Sequence, residues 1–156
     1  MKAEVLKKSD EKVWVHLKDA KISLVNALRR IIISEIPCFA VDEVNFTENT
    51  SVMYNEYVAN RIGLIPLSYE ETLGEDATII FTLEAEGPCT VYSKSLQSTD
   101  PKIKVFNEGI PIMKLGKDQR LKLEATAVKG VAKQHAKFQC ALASYGYYPD
   151  SKKVEK

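Results

Sequence analysis

The sequence contains few residues of the kinds that hold metals, disulfides or catalytic nucleophiles. Only three cysteines and two histidines occur among its 156 residues. Cys38, Cys89 and Cys140 are far apart and form no C-x-x-C pair, so neither a disulfide framework nor a zinc or iron–sulfur site is indicated. There is also no glycine-rich phosphate loop and no triple-aspartate magnesium motif. We expect buried, reduced thiols, and no cofactor.

Long hydrophobic runs are also missing. No apolar stretch approaches the roughly 20 residues that a membrane-spanning helix needs. The first residues, MKAEVLKKSDEKVWV, lack the apolar segment of a secretory signal. We therefore expect a cytoplasmic chain with no membrane partner. The 45% hydrophobic and 28% charged content predicts a globular domain with a substantial core.

The formal net charge of +1 hides an uneven distribution of charge. Residues 47–100 carry two basic and nine acidic side chains, whereas residues 101–156 carry twelve basic and five acidic ones. Either region could attract a charged partner, and two solvated faces of opposite sign explain the pattern equally well.

The pattern of apolar residues predicts a hairpin, a helix and then a strand. The hairpin has its turn at 8–11, and the helix covers 22–34 with Asp19 or Ser23 as its N-cap. Pro37 ends the helical pattern and a strand is expected over 40–46. The apolar arc of the helix is too broad for a one-sided surface helix, so we expect contacts on more than one side. The arc consists of Leu24, Val25, Leu28, Ile31 and Ile32.

A second helix and several short strands are predicted further along the chain. The second helix is expected to be capped by Asn49, Thr50 or Ser51 and to end near Gly63. Its apolar stripe would contain Met53, Tyr54, Tyr57, Val58 and Ile62. Strands are expected at 78–83, 90–93, 103–106 and 121–128. This pattern predicts an α+β head and an all-β body.

Five segments carry a specific combination of motifs: NALRR at 26–30, EIP at 35–37 with AVDEV at 40–44, ENTS at 48–51, RIGLIPL at 61–67 and GVAKQHAKFQ at 130–139. In order and spacing they resemble the archaeal RNA polymerase D subunits. These are counterparts of the N-terminal region of the bacterial alpha subunit and of the third-largest subunit of eukaryotic RNA polymerase II. The likeness covers roughly residues 10–149.

The resemblance implies an α+β fold in which an RNA polymerase alpha/D-type dimerisation domain carries an inserted, mainly β second domain. Residues 1–46 would be the N-terminal part of the dimerisation domain, 47–149 the insert, and 150–156 a disordered tail. Family members continue with another strand and a long C-terminal helix, and many archaeal members add a cysteine-rich ferredoxin-like domain. We expect these parts to be missing here, because the sequence is a fragment or because its gene is short or split.

By the same resemblance, the chain would be a non-catalytic assembly subunit of an archaeal DNA-directed RNA polymerase that acts in transcription. Helix 22–34 would pack against the small subunit L. The heterodimer would nucleate docking of the second-largest catalytic subunit and of the small zinc-binding subunits N and P. Nucleotidyl transfer would belong to the whole complex, and DNA contact would be indirect.

Three sets of residues are the candidate contacts. The interface with subunit L would use Leu24, Val25, Leu28, Ile31 and Ile32. Assembly contacts would come from Asn26, Arg29, Arg30 and Arg61. A docking loop for the large subunit, expected to be surface-accessible, would present Lys133, His135 and Lys137. Charge near a helix C-terminus is the alternative explanation of Arg29 and Arg30.

The docking loop departs from the family pattern and also suggests two other functions. A second glycine, a tryptophan and a proline are usual where this chain has Ala132, Phe138 and Cys140, so we expect a different loop shape. A free-standing basic nucleic-acid module would use the region 101–156, where Lys129, Lys133 and Lys137 could contact phosphates, but no aromatic residues are interleaved to stack on bases. A thiol enzyme would need Cys140 and His135 to converge with an orienting group.

Overall fold

The computed structural model describes residues 1–74 and 76–149 and divides the chain into two compact units. Of the described residues, the first unit contains 1–35 and 141–149, and the second contains those between 36 and 140. The expected boundary at 46 lies within a strand that runs unbroken from Pro37 to Asn49. The tail predicted at 150–156 lies outside the described residues.

The first unit consists of a hairpin, a helix and a segment without regular structure. Strands β1 (Lys2–Lys8) and β2 (Val13–Lys18) pair in antiparallel register, and helix α1 covers Ile22–Ser34 as predicted. The predicted caps are wrong, because Lys21 occupies the N-cap position without a side-chain hydrogen bond. Asp19 instead has a positive φ of 56°, a conformation that aspartate tolerates better than most residues, and it turns the chain between β2 and α1.

The second unit is built on an antiparallel sheet with a short helix packed beside it. In chain order its elements are β3 (Pro37–Asn49), α2 (Asn55–Gly63), β4 (Thr78–Glu86), β5 (Cys89–Tyr92), β6 (Gln97–Ser98), β7 (Pro111–Leu115) and β8 (Arg120–Val131). The four-stranded sheet has the order β3-β8-β4-β6, and β5 pairs with β7 in a separate ribbon. The strand expected at 103–106 is wrong, since only an isolated bridge joins Val105 to Leu67.

The core of the second unit lies between the strands and α2. Alternate side chains of β4 and β8 are buried, as a half-buried antiparallel sheet requires. Helix α2 contributes Val58 and Ile62, which lie one turn apart on its inner face. The wider stripe predicted for this helix is wrong, because Tyr54 is 73% exposed and Tyr57 is 65% exposed. Tyr54 is the N-cap, and Tyr57 lies about 100° around the axis from Val58.

The start of α2 also differs from the prediction. Its N-cap makes no side-chain hydrogen bond, so none of the three expected caps is used. Asn49 and Ser51 shape the preceding turn instead: the Ser51 hydroxyl donates to Asn49 Oδ1 at 2.6 Å, and Asn49 Nδ2 donates to the Met53 carbonyl at 2.9 Å. Among the described residues, neither helix has the length and apolar character of a membrane span.

Candidate protein interface

Helix α1 presents an apolar surface that the described chain does not bury. We use the name α1 surface for the five predicted interface residues, Leu24, Val25, Leu28, Ile31 and Ile32. Leu24 is 42% exposed, Ile31 46% and Ile32 37%, while Val25 and Leu28 are half-buried. No residue of α1 is fully buried. Since contiguous exposed apolar surface marks interaction sites, α1 has the properties of a contact surface for another chain.

The hairpin of the first unit adds further exposed apolar side chains. Val5 and Val15 face each other across the β1–β2 register and are 60% and 48% exposed. Val13 is 55% exposed and Trp14 44% exposed. The first unit therefore leaves apolar side chains of both its helix and its hairpin in contact with solvent.

The predicted assembly residues of α1 fall into two groups. Arg29 Nε donates to Asn26 Oδ1 at 3.2 Å, so a hydrogen bond links these two polar side chains on the helix. Arg30 is exposed, and its backbone carbonyl accepts a hydrogen bond from the Ser34 hydroxyl at 2.7 Å. The helix continues past both arginines, and its last turn has no basic residue. An interaction with the helix C-terminus therefore does not account for Arg29 and Arg30, because that effect is limited to the last turn.

Arg61 belongs to the second unit and is used within it. Its guanidinium Nη2 donates to the Pro111 carbonyl at 2.6 Å. This bond joins the last turn of α2 to the start of β7, a strand that the sequence did not predict. Arg61 therefore has a structural contact inside the chain.

The predicted docking loop folds back over β8. Phe138 is 5% exposed and packs with Cys38 and Ala40 of β3 in a small apolar cluster. Its ring lies so close to Gly130 that a Cβ there would be 2.7 Å from the nearest ring atom. Glycine at 130 is thus required by the position of the Phe138 ring.

The three charged candidates of this loop have different surroundings. Lys133 and His135 are exposed. The expected accessibility of Lys137 is wrong, because its side chain is only 12% exposed and its ammonium group is ion-paired with Asp42 of β3. His135 Nδ1 accepts a hydrogen bond from the Lys137 backbone N–H at 3.1 Å. Sequence reasoning did not identify Asp42, although it lies in the matching AVDEV segment.

The contacts of the loop do not favour a nucleic-acid site. Lys129 Nζ lies 5.5 Å from the centre of the Tyr69 ring and donates to the Leu73 carbonyl at 3.5 Å. Lys137 is paired with Asp42. Of Lys129, Lys133 and Lys137, the first and last are therefore engaged by the chain itself, which weakens their attraction for phosphates.

The contacts also do not assemble a thiol active site. The Cys140 thiol is directed at the Ile36 carbonyl, 3.9 Å away, and His135 Nδ1 bonds to a backbone N–H. Burial, together with the nearby Cys140 thiol, raises the pKa of Cys38 to about 12, the opposite of what an activated nucleophile needs. Within residues 1–74 and 76–149, no group of three or more His, Cys, Asp or Glu side chains is arranged to hold a metal ion.

Comparison with known families defines the class of protein. The family described as RNA polymerase Rpb3/RpoA insert domain matches residues 44–147, which include most of the second unit. This match covers more than half of the chain, and the chain therefore belongs to the Rpb3/RpoA insert-domain family of RNA polymerases. The predicted relation to an RNA polymerase subunit is thereby confirmed.

Individual relatives extend the similarity into the first unit. The chain is 43% identical over 155 residues to the DNA-directed RNA polymerase subunit Rpo3 of Pyrococcus furiosus, covering 95% of this chain and 59% of that protein. It is 49% identical over 131 residues to Rpo3 of Methanocaldococcus jannaschii, covering 84% and 67% of the two chains. For Rpo3 of Pyrobaculum arsenaticum the identity is 48% over 142 residues, covering 81% and 55%. The chain thus spans about three fifths of the length of the first of these relatives.

Proposed function

We propose that this chain is a non-catalytic assembly subunit of an archaeal DNA-directed RNA polymerase and forms a heterodimer with the small subunit L through the α1 surface. The first unit is its part of an alpha/D-type dimerisation domain, and the second unit is the insert. The observation that carries the proposal is an amphipathic helix with no fully buried residue in a chain whose relatives are named RNA polymerase subunits.

The heterodimer would position the other polymerase subunits and would take no direct part in nucleotidyl transfer. By the family resemblance, it is a platform on which the second-largest catalytic subunit and the small subunits N and P assemble. Asn26, Arg29 and Arg30 lie on α1 and would contribute polar contacts around its apolar residues. A guanidinium group suits a carboxylate or carbonyl oxygens of a partner.

The loop 130–139 would be the docking site for the second-largest subunit. Two side chains of the predicted set, Lys133 and His135, are exposed and free to meet a partner. Lys137 would act indirectly, because its ion pair with Asp42 ties the loop to β3. Phe138 also holds the loop against β3, through its apolar contact with Cys38 and Ala40.

The heterodimer can be tested with Ile31→Asp, a change at an exposed position of the α1 surface. A carboxylate buried in an apolar interface costs several kcal/mol. We expect the wild-type chain to co-purify with co-expressed subunit L. The affinity of the variant for subunit L should be at least a hundredfold lower. Because Ile31 is 46% exposed in the chain, its replacement should leave the fold intact, which circular dichroism will check.

Ser23→Asp is the matched control on the same helix. It introduces the same carboxylate at an exposed position about 100° from Leu24, away from the centre of the apolar arc. This variant should bind subunit L as the wild type does. Equal binding by the Ile31 variant and the wild type would refute the α1 interface.

A further inference from the structure

Two of the three cysteines lie on segments that run beside each other in the second unit. The Cys38 thiol donates to the Phe138 carbonyl at 2.9 Å. The Cys140 thiol donates to the Ile36 carbonyl at 3.9 Å. Each thiol thus reaches a residue two positions before the other cysteine, so residues 36–38 and 138–140 lie side by side in opposite directions.

The two cysteine thiols also lie near each other. Burial raises the pKa of Cys38, and the nearby Cys140 thiol raises it further. Cys38 is 9% exposed, whereas Cys140 is exposed. The pair therefore combines one thiol that a reagent in solution can reach with one that it cannot.

We propose that Cys38 and Cys140 form a reversible disulfide that clamps the two ends of the second unit together. The co-reactant is a low-molecular-weight disulfide. The exposed Cys140, as its thiolate, attacks one sulfur of this reagent and releases one thiol. The Cys38 sulfur then displaces the second thiol and closes the bond. Both S–H bonds are broken and one S–S bond is formed, and the reagent accepts two electrons and two protons.

The burial of Cys38 determines the properties of this pair. A buried thiol of high pKa is protected from reagents in solution and reacts only with a sulfur brought to it by Cys140. The resulting bond would connect positions at the start and end of the second unit and close a loop of about a hundred residues. Cross-links over long loops restrict the unfolded chain the most, so the oxidised unit should resist unfolding better than the reduced one.

The test uses the full chain with Cys89→Ser, which leaves only the two thiols in question. Cys89 is exposed, and its thiol bonds only to the Glu86 carbonyl at 3.4 Å, so its replacement should cost little stability. After treatment with oxidised glutathione, thiol titration of the denatured protein should fall from two free thiols to none. The intact mass should fall by two hydrogens, peptide mapping should link Cys38 to Cys140, and dithiothreitol should reverse each change.

The control is the double variant Cys89→Ser/Cys140→Ser, which should keep its one thiol under the same treatment. Retention of both thiols in the Cys89→Ser chain would overturn the proposal, as would a mixed disulfide with glutathione at Cys140 or covalent dimers in place of the internal bond.

Thermal unfolding tests whether the disulfide stabilises the second unit. The oxidised Cys89→Ser chain should melt at a higher temperature than the reduced chain, and an unchanged midpoint would contradict a clamping role.

Discussion

Individual side chains in this protein acquire their roles from neighbours that are remote in sequence. Lys137 has the sequence context of a surface lysine, between alanine and phenylalanine in a basic loop. Its side chain is nevertheless only 12% exposed, and its ammonium group is ion-paired with Asp42 of β3. The loop therefore has one lysine that fixes its position and one, Lys133, that remains available for a partner.

The Cys38 thiol gives a prediction about stability at alkaline pH. Burial raises the pKa of this thiol from 9.0 to about 12, so in this range the folded chain keeps a proton that the unfolded chain has lost. Its contribution to stability is complete below pH 9.0 and is lost as pH rises toward 12. Above pH 9.0, the ionisation of this thiol should lower the free energy of unfolding by about 1.4 kcal/mol per pH unit.

Urea unfolding in the presence of a reductant, followed by circular dichroism from about pH 8 to about pH 10.5, measures this effect. Tyrosines and lysines titrate in the same range, so the comparison is with Cys38→Ala. The variant should lose stability less steeply with pH than the wild type, whatever its absolute stability. Parallel curves for the two proteins would show that Cys38 is not held protonated by burial.

Two turns of the second unit approach each other closely. Gly87 lies between β4 and β5, and its backbone N–H donates to the Gln119 carbonyl at 2.8 Å. The opposite turn begins at Gly116, whose N–H donates to Gln119 Oε1 at 2.7 Å. The turn after β4 and the turn between β7 and β8 are therefore in direct backbone contact.

Gly87→Ala should destabilise the second unit. The added Cβ would lie 1.9 Å from the Gly116 carbonyl oxygen, so one of the two turns must move. Because the obstacle is backbone, we expect a loss of about 1–3 kcal/mol in the free energy of unfolding, the usual range for overpacked sites. Urea unfolding of the full chain provides the measurement.

The control for this variant is Gly109→Ala. There the nearest atom to the new Cβ would be Asn107 Oδ1 at 3.5 Å, which is ordinary contact. This variant should unfold within about 0.5 kcal/mol of the wild type, as surface substitutions usually do. A Gly87 variant as stable as the Gly109 variant would contradict the close approach of the two turns.

At the scale of the whole molecule, the two units present different kinds of surface. The first unit exposes apolar side chains on its helix and hairpin. The second encloses a continuous core and carries the loop 130–139 with its exposed Lys133 and His135. We interpret the first surface as the dimer interface and the loop as the site of a second, more polar contact.

The docking role of the loop can be tested by reversing one charge, Lys133→Glu. This side chain is exposed, so the change should leave the heterodimer with subunit L intact. Capture of the second-largest polymerase subunit by the heterodimer should weaken about tenfold, mainly through faster dissociation if the contact is short-range. The measurement is a pull-down at equal heterodimer concentrations, followed by dissociation kinetics.

Lys117→Glu is the matched control, an exposed lysine in the turn between β7 and β8. It makes the same change in net charge away from the loop 130–139. Equal loss of capture in both variants would assign the effect to overall charge rather than to the loop. Undiminished capture by the Lys133 variant would refute the docking role of Lys133.

Features that depend on local periodicity and on motifs could be predicted from the sequence. Helix α1 has its predicted limits of 22–34, because its apolar residues recur at helical spacing and Pro37 prevents continuation. The alternating residues of β4 and β8 identified both strands. The five matching segments identified the relation to RNA polymerase, which the family match confirms.

Which of these residues contact each other could not be predicted, because it depends on the three-dimensional fold. Strand β7 begins with a proline and was not predicted, because it forms through pairing with β5 and through the bond from Arg61 to Pro111. The partners Lys137 and Asp42 are 95 residues apart, and Cys38 lies 100 residues from the carbonyl that accepts its thiol. Periodicity describes only neighbours along the chain, so contacts at such separations follow from how β3 and β8 align and from how the loop after β8 returns to β3.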